Sequence, residues 1–173
     1  MATLVPLALG ILMSTAADAP DLVFESKIAR RKDEILVTFY LRNRGTPDLR
    51  VLLENYYCNF ETRLFDRQGV ERIPWDQRAT QGARAEPLRV TPAPLPAGGR
   101  LEVGYFLLSP KRRNAFSGPL NWNLERVPAQ TFSVEFTVRM PREMADRAAL
   151  RGGSGIIVGE WTSPRVAVSY DPD

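Results

Sequence analysis

Histidine is absent from this 173-residue chain. That absence removes the commonest general base, the usual activator of a nucleophile and the commonest metal ligand together. Serine–histidine and cysteine–histidine catalytic arrangements are excluded. With one cysteine, Cys58, zinc sites built from histidine and cysteine are excluded as well. The same count leaves no intramolecular disulfide to brace the fold. Lysine is scarce: of 23 basic residues, only Lys27, Lys32 and Lys111 are Lys and the rest are Arg. The apolar run from Leu4 to Met13 is about half the ~20 residues that a bilayer core needs, so no transmembrane segment is expected.

That run is instead the core of an expected leader. Small and polar residues follow it, up to Ala17-Asp18-Ala19 before Pro20. An apolar stretch followed by a small-x-small site is the pattern of a secretory signal peptide. Residues 1–19 are therefore read as a signal peptide, which predicts a periplasmic or secreted bacterial protein. Residues 20–173 are read as one domain, long enough to bury a core without cross-links. The net charge of +3 is spread as Arg interleaved with acids. Nucleic-acid binders cluster such charge on one face with aromatics or a known motif, so no nucleic-acid partner is expected.

Hydrophobic periodicity predicts strands. Ile35, Val37, Phe39 and Leu41 alternate with Leu36, Thr38, Tyr40 and Arg42, which gives one buried face. Phe132, Val134, Phe136, Val138 and Met140 repeat the pattern more cleanly. Leu101, Val103, Tyr105 and Leu107 are expected to share a face, as are Val166, Val168 and Tyr170. Asp66-Arg67-Gln68-Gly69 reads as a hairpin turn between Phe60–Phe65 and a returning strand over 70–75. Pro92 to Gly99 reads as a rigid turn, with a short strand over 88–90 before it. Residues 49–59 fit either a strand or a loop. Pro141 to Arg151 is the one helix candidate, started by Pro and stopped by Gly152-Gly153. About seven short strands, each half-buried, with one short helix before the last, predict an all-β fold. An immunoglobulin-like antiparallel sandwich is the preferred architecture, and a closed barrel is the alternative.

Three segments carry a resemblance. Val37 to Gly45 (VTFYLRNRG) is a strand ending in Asn and a turn. Phe60 to Trp75 (FETRLFDRQGVERIPW) is a hairpin with D-x-x-G and a following Trp. Leu95 to Val103 (LPAGGRLEV) is a Pro-Gly turn into an alternating strand. In that order they resemble bacterial immunoglobulin-like sandwiches of the intracellular proteinase inhibitor (BsuPI-like) type. The resemblance implies a sandwich and a protein-binding role. It lies in framework positions, so no inhibitory residue is carried over.

No motif argues for catalysis. Ser26 and Lys27 are adjacent on a strand and point to opposite faces, so they form no dyad. Arg151 to Gly155 lacks the Gly-Lys-Ser/Thr of a phosphate loop. Asp33-Glu34 and Glu143/Asp146 sit beside basic residues and read as solvated ion pairs. No cofactor and no metal are expected, and the chain is read as a non-enzyme.

Two features point to binding. Arg30, Arg31 and Lys32 fall in one turn, and Lys111, Arg112 and Arg113 in another. If the two turns share one end of the sheets, they form a basic surface for an acidic partner. Trp122, Tyr56 and Tyr57, with Trp75 and Phe116 nearby, would supply aromatic contacts if exposed. The function expected is an exported module that binds a protein, such as a secreted enzyme or toxin. The alternative is binding of carbohydrate or a cell-envelope polymer.

Overall fold

The computed structural model of the chain describes residues 21–52, 60–76, 92–150 and 155–172. The expected leader, Tyr56, Tyr57, Cys58, the strand expected over 88–90 and the Gly152-Gly153 helix stop lie outside those residues. In chain order the strands begin with β1 (Leu22–Arg31), β2 (Glu34–Asn43), β3 (Leu49–Leu52), β4 (Phe60–Phe65) and β5 (Glu71–Arg72). Next come β6 (Trp75–Asp76), β7 (Pro92–Leu95), β8 (Arg100–Ser109), β9 (Asn114–Ser117) and β10 (Leu120–Asn123). The chain closes with β11 (Gln130–Met140), the helix α1 (Arg142–Ala149), β12 (Gly159–Thr162) and β13 (Val166–Tyr170).

The fold is all-β and its strand pairs are antiparallel. One sheet runs β1-β2-β8-β9-β10-β6, and a second runs β12-β11-β4-β5 with β13 also on β11. A small third sheet pairs β3 with β7. Thirteen strands are described, more than the seven or so expected, because several are segments of only two to four residues. The helix precedes two strands rather than one.

The two large sheets share one core. Val37, Phe39 and Leu41 from β2 are fully buried, as are Phe132, Val134, Phe136 and Val138 from β11. The alternation along each strand puts these side chains on one face, as their sequence pattern requires. Phe136 is the centre of contact between the layers. Its ring stacks on Phe39 of the opposite sheet with centroids 4.9 Å apart and planes 11° apart. Phe60 and Phe24 complete its surroundings at 5.7 Å and 6.4 Å.

Strand β8 departs from the expected phase. Phe39 faces Gly104 and Tyr40 faces Glu102, so Val103 is an extra residue in a β-bulge. The bulge flips the alternation. Gly104, Phe106 and Leu108 point into the core, while Tyr105 and Leu107 lie on the other face. The expected Tyr105–Leu107 inward face is therefore corrected.

Pro92–Leu95 is also a strand rather than part of a turn. It pairs with β3 in the register Leu49↔Leu95 and Leu52↔Pro92. Pro92 and Pro94 alternate, so their missing donors fall on one side of the strand. The N–H groups of Ala93 and Leu95 point to the other side, which leaves an edge strand workable. The turn proper is Pro96 to Gly99, where Gly98 has φ 69°. Asn43, fully buried at the end of β2, binds this region together. Its side-chain Nδ2 donates to Pro47 O at 2.8 Å and Leu95 O at 3.3 Å.

The Asp66 hairpin forms as its sequence predicts. Asp66 Oδ1 accepts from the N–H of Gln68 at 3.0 Å and of Val70 at 2.9 Å. After β5 the chain crosses between sheets: Glu71 and Arg72 pair with β4, and Trp75 and Asp76 pair with β10. The expected single return strand over 70–75 is split by that crossing at Ile73-Pro74.

The outward face of the second sheet carries a charge ladder. Arg63 Nη2 lies 2.6 Å from Glu71, and Arg63 Nη1 lies 3.3 Å from Glu135, which Arg165 approaches at 3.4 Å. The hydrogen bond from Arg63 holds the Glu71 carboxyl below its ordinary value of 4.5. A depressed carboxyl stabilises the fold above that value, and the contribution is lost as pH falls below it. Thermal unfolding should therefore show a steeper loss of Tm on acidification for the wild type than for Glu71→Gln. Parallel curves through that range would remove Glu71 from the acid response.

Candidate functional site

The basic turns meet. Lys32-Asp33 closes the β1–β2 hairpin, and residues 110–113 join β8 to β9. Strand β2 leaves the end at which neighbouring β8 arrives, with Ile35 opposite Leu108. Antiparallel neighbours thus bring both turns to one end of the first sheet. Lys111 Nζ bridges them, 2.6 Å from Asp33 Oδ1.

Around this bridge lie two adjoining clefts of about 300 Å³ and 410 Å³. Arg31, Lys32, Asp33, Glu34 and Lys111 line both. Arg112 and Ser109 complete the smaller one, and Arg30, Ser169 and Asp171 belong to the larger. Five of the six expected basic residues therefore converge. Arg113 does not. It turns aside with φ 53°, and its guanidinium donates to Glu125 O at 3.3 Å. Lys111 is offset by Asp33, whereas Arg30, Arg31, Lys32 and Arg112 form no ion pair among the described residues. The lining thus carries a positive excess over Asp33, Glu34 and Asp171. Open clefts lined with excess charge of one sign attract the opposite charge and fit a flexible acidic segment.

Trp122 requires a correction. It is 1% exposed and packs edge-on against Phe106, with centroids 5.8 Å apart. Its indole Nε1–H donates to Arg72 O at 2.8 Å. A large ring with a satisfied polar tip is a core residue. Trp122 is therefore unavailable to a partner, and it lies within the strand Leu120–Asn123. Phe116 is half-buried beside it. Among the described residues the exposed aromatic is Trp75, at 58%, with Ile73 at 84% next to it and Val70 nearby in sequence. This apolar trio at the sheet crossing had a sequence signal in its Val-x-x-Ile-Pro-Trp composition. Only burial separates Trp75 from Trp122.

Among the described residues no group of three or more His, Cys, Asp and Glu side chains is arranged to hold a metal. Likewise, no helix there is long and apolar enough to cross a membrane. No protein-family model matches the chain, and no curated protein matches it.

Proposed function

We propose that the chain is an exported, non-enzymatic binding module that captures a protein through the basic end formed by the β1–β2 and β8–β9 turns. In this reading the two facing sheets are an immunoglobulin-like sandwich, and the domain after the leader acts outside the cytoplasm. The partner presents acidic side chains, as a secreted enzyme or toxin with an acidic surface would. One observation carries the reading: Arg30, Arg31, Lys32 and Arg112 gather at two adjoining open clefts, without ion-pair partners among the described residues. These four side chains are solvent-exposed and repel one another, which gives the fold nothing, so their convergence is better explained by an external anion.

The test compares capture from secreted fractions by the wild type and by Arg31→Glu/Arg112→Glu, both checked for folding by circular dichroism. The expected result is a partner whose affinity falls about tenfold or more on charge reversal, since complementary charge governs such encounters. Its binding should also weaken as salt rises, because exposed charges are screened. Equal capture by both proteins would overturn the basic end as the binding site. The carbohydrate reading has one observation in its favour, the 58% exposure of Trp75. A polysaccharide that quenches Trp fluorescence in the wild type but leaves Trp75→Ala unaltered would select it.

A further inference from the structure

Strand β1 ends the first sheet, so among the described residues one of its long edges has no neighbouring strand. Its ten residues pair with β2 without interruption, from Leu22↔Asn43 to Arg31↔Glu34. Asp21 and Arg44 extend that register, and Arg44 N–H donates to Asp21 O at 2.8 Å. In an antiparallel ladder, directly opposed residues alternate between bonded and non-bonded pairs. Odd-numbered residues of β1 therefore turn their main-chain groups toward β2. Leu22, Phe24, Ser26, Ile28 and Arg30 turn theirs outward. Among the described residues these outward groups have no main-chain partner. The edge is about 30 Å long at ~3.3 Å per residue. It contains no Pro and no bulge, the devices that commonly blunt an edge.

We infer that this edge is a homodimer interface, in which two copies of β1 pair antiparallel about a twofold axis at Ser26. The sequence is self-complementary in that register and in no adjacent one. Ser26 faces Ser26, and Phe24 faces Ile28 of the other copy. Glu25 faces Lys27, and Asp21 faces Arg31. The outward main-chain groups meet each other, which the ladder requires. Glu25 and Lys27 fall in the non-bonded pairs, where side chains are closest. Moving the axis to residue 25 sets Glu25 against Glu25, and moving it to residue 27 sets Lys27 against Lys27. Like charges directly opposed are destabilising, so both slips are disfavoured. A lone Lys would guard the edge; with Glu two residues away the pair selects its own copy. Ile28, 45% exposed, would be covered by the Phe24 ring of the other copy.

The paired strands share Arg31 with the basic end, so the variants that test the dimer leave Arg31 in place. Sedimentation velocity of the full-length protein across a dilution series tests the proposal, with residue-level amide exchange alongside. The expected result is a monomer–dimer equilibrium. The amides of Phe24, Ser26 and Ile28 should become protected as concentration rises, while those of Glu25 and Lys27, bonded to β2, stay protected throughout. Ser26→Pro removes an outward donor only, so it should give a folded monomer. Glu25→Lys and Lys27→Glu should each weaken the dimer about tenfold, as two ion pairs become two repulsions. Mixed together, these two variants should form a heterodimer, which a merely structural role would not produce. A monomeric mass at every concentration would overturn the proposal. So would a dimer in which Phe24, Ser26 and Ile28 amides exchange freely. Protection that arises only when an unrelated protein is added would assign the edge to a foreign strand and also overturn it. The exchange measurement decides the matter even if Ser26→Pro fails to fold.

Discussion

Replacing Trp122 with alanine is expected to cost about 3–5 kcal/mol of folding stability, the range for removing a fully buried large aromatic. The ring is 1% exposed and lies edge-on to Phe106, so its loss opens a cavity between β8 and β10. The cost has a second part. The Nε1–H bond to Arg72 O, at 2.8 Å, ties β10 to the point where the chain leaves β5 and crosses to the other sheet. Without it the Arg72 carbonyl keeps only its place in the β4–β5 ladder, and the lost hydrogen bond adds about 0.5–1.5 kcal/mol. Trp122→Phe separates the two parts, since it keeps most of the ring and loses only the donor. For a domain of this size each kcal/mol shifts Tm by about 2–4 °C, so the alanine variant should melt roughly 6–20 °C lower. Urea unfolding followed by far-UV circular dichroism measures the difference. A loss below about 1 kcal/mol would return Trp122 to the surface.

The contrast between Trp122 and Trp75 shows where sequence reading stops. Both residues lie among turn-forming and polar neighbours, and both invite a surface role. Which indole is covered depends on the crossing at Ile73-Pro74, which puts Trp75 on the outer strand of the first sheet. A single apolar residue in a four-residue strand such as β10 carries no periodicity, so its burial has no local signature. Strands β2 and β11 were legible because ten or so residues of strict alternation admit one interpretation. The same rule misread β8, because one inserted residue at Val103 reverses everything after it. Pro92 and Pro94 misled for another reason. Proline is read as a breaker, yet two prolines in alternate positions spare one side of an edge strand. The basic end was legible in composition, as two runs of three cations. Its assembly followed from β2 and β8 being neighbours, a pairing that periodicity does not give. Arg113 left the group for a purely local reason, the left-handed backbone at the end of its turn.

Gly104→Ala is the second change expected to have a large effect. A Cβ on Gly104 would lie 2.1 Å from Phe136 Cζ and 2.5 Å from Cε2, far inside contact distance. The requirement is for space, since Gly104 is not among the residues with positive φ. The ring has little freedom to withdraw. Phe39 stacks on it at 4.9 Å, and Phe60 and Phe24 hold it at 5.7 Å and 6.4 Å. Relief must come from separating the sheets or from moving the bulge at Val103. Overpacking costs typically 1–3 kcal/mol and sometimes more. With one methyl set against a clamped ring, we expect about 3 kcal/mol or more. The cause can be isolated, because Phe136→Leu removes the atoms that would collide while leaving an apolar core residue. Phe136→Leu alone should destabilise by leaving a cavity. Adding Gly104→Ala to Phe136→Leu should then cost much less than adding it to the wild type, since the new methyl occupies part of that cavity. A double-mutant cycle in urea should therefore give a coupling of about 1–3 kcal/mol in the favourable direction. Strict additivity would mean that Gly104 is required by the bulge itself and not by Phe136.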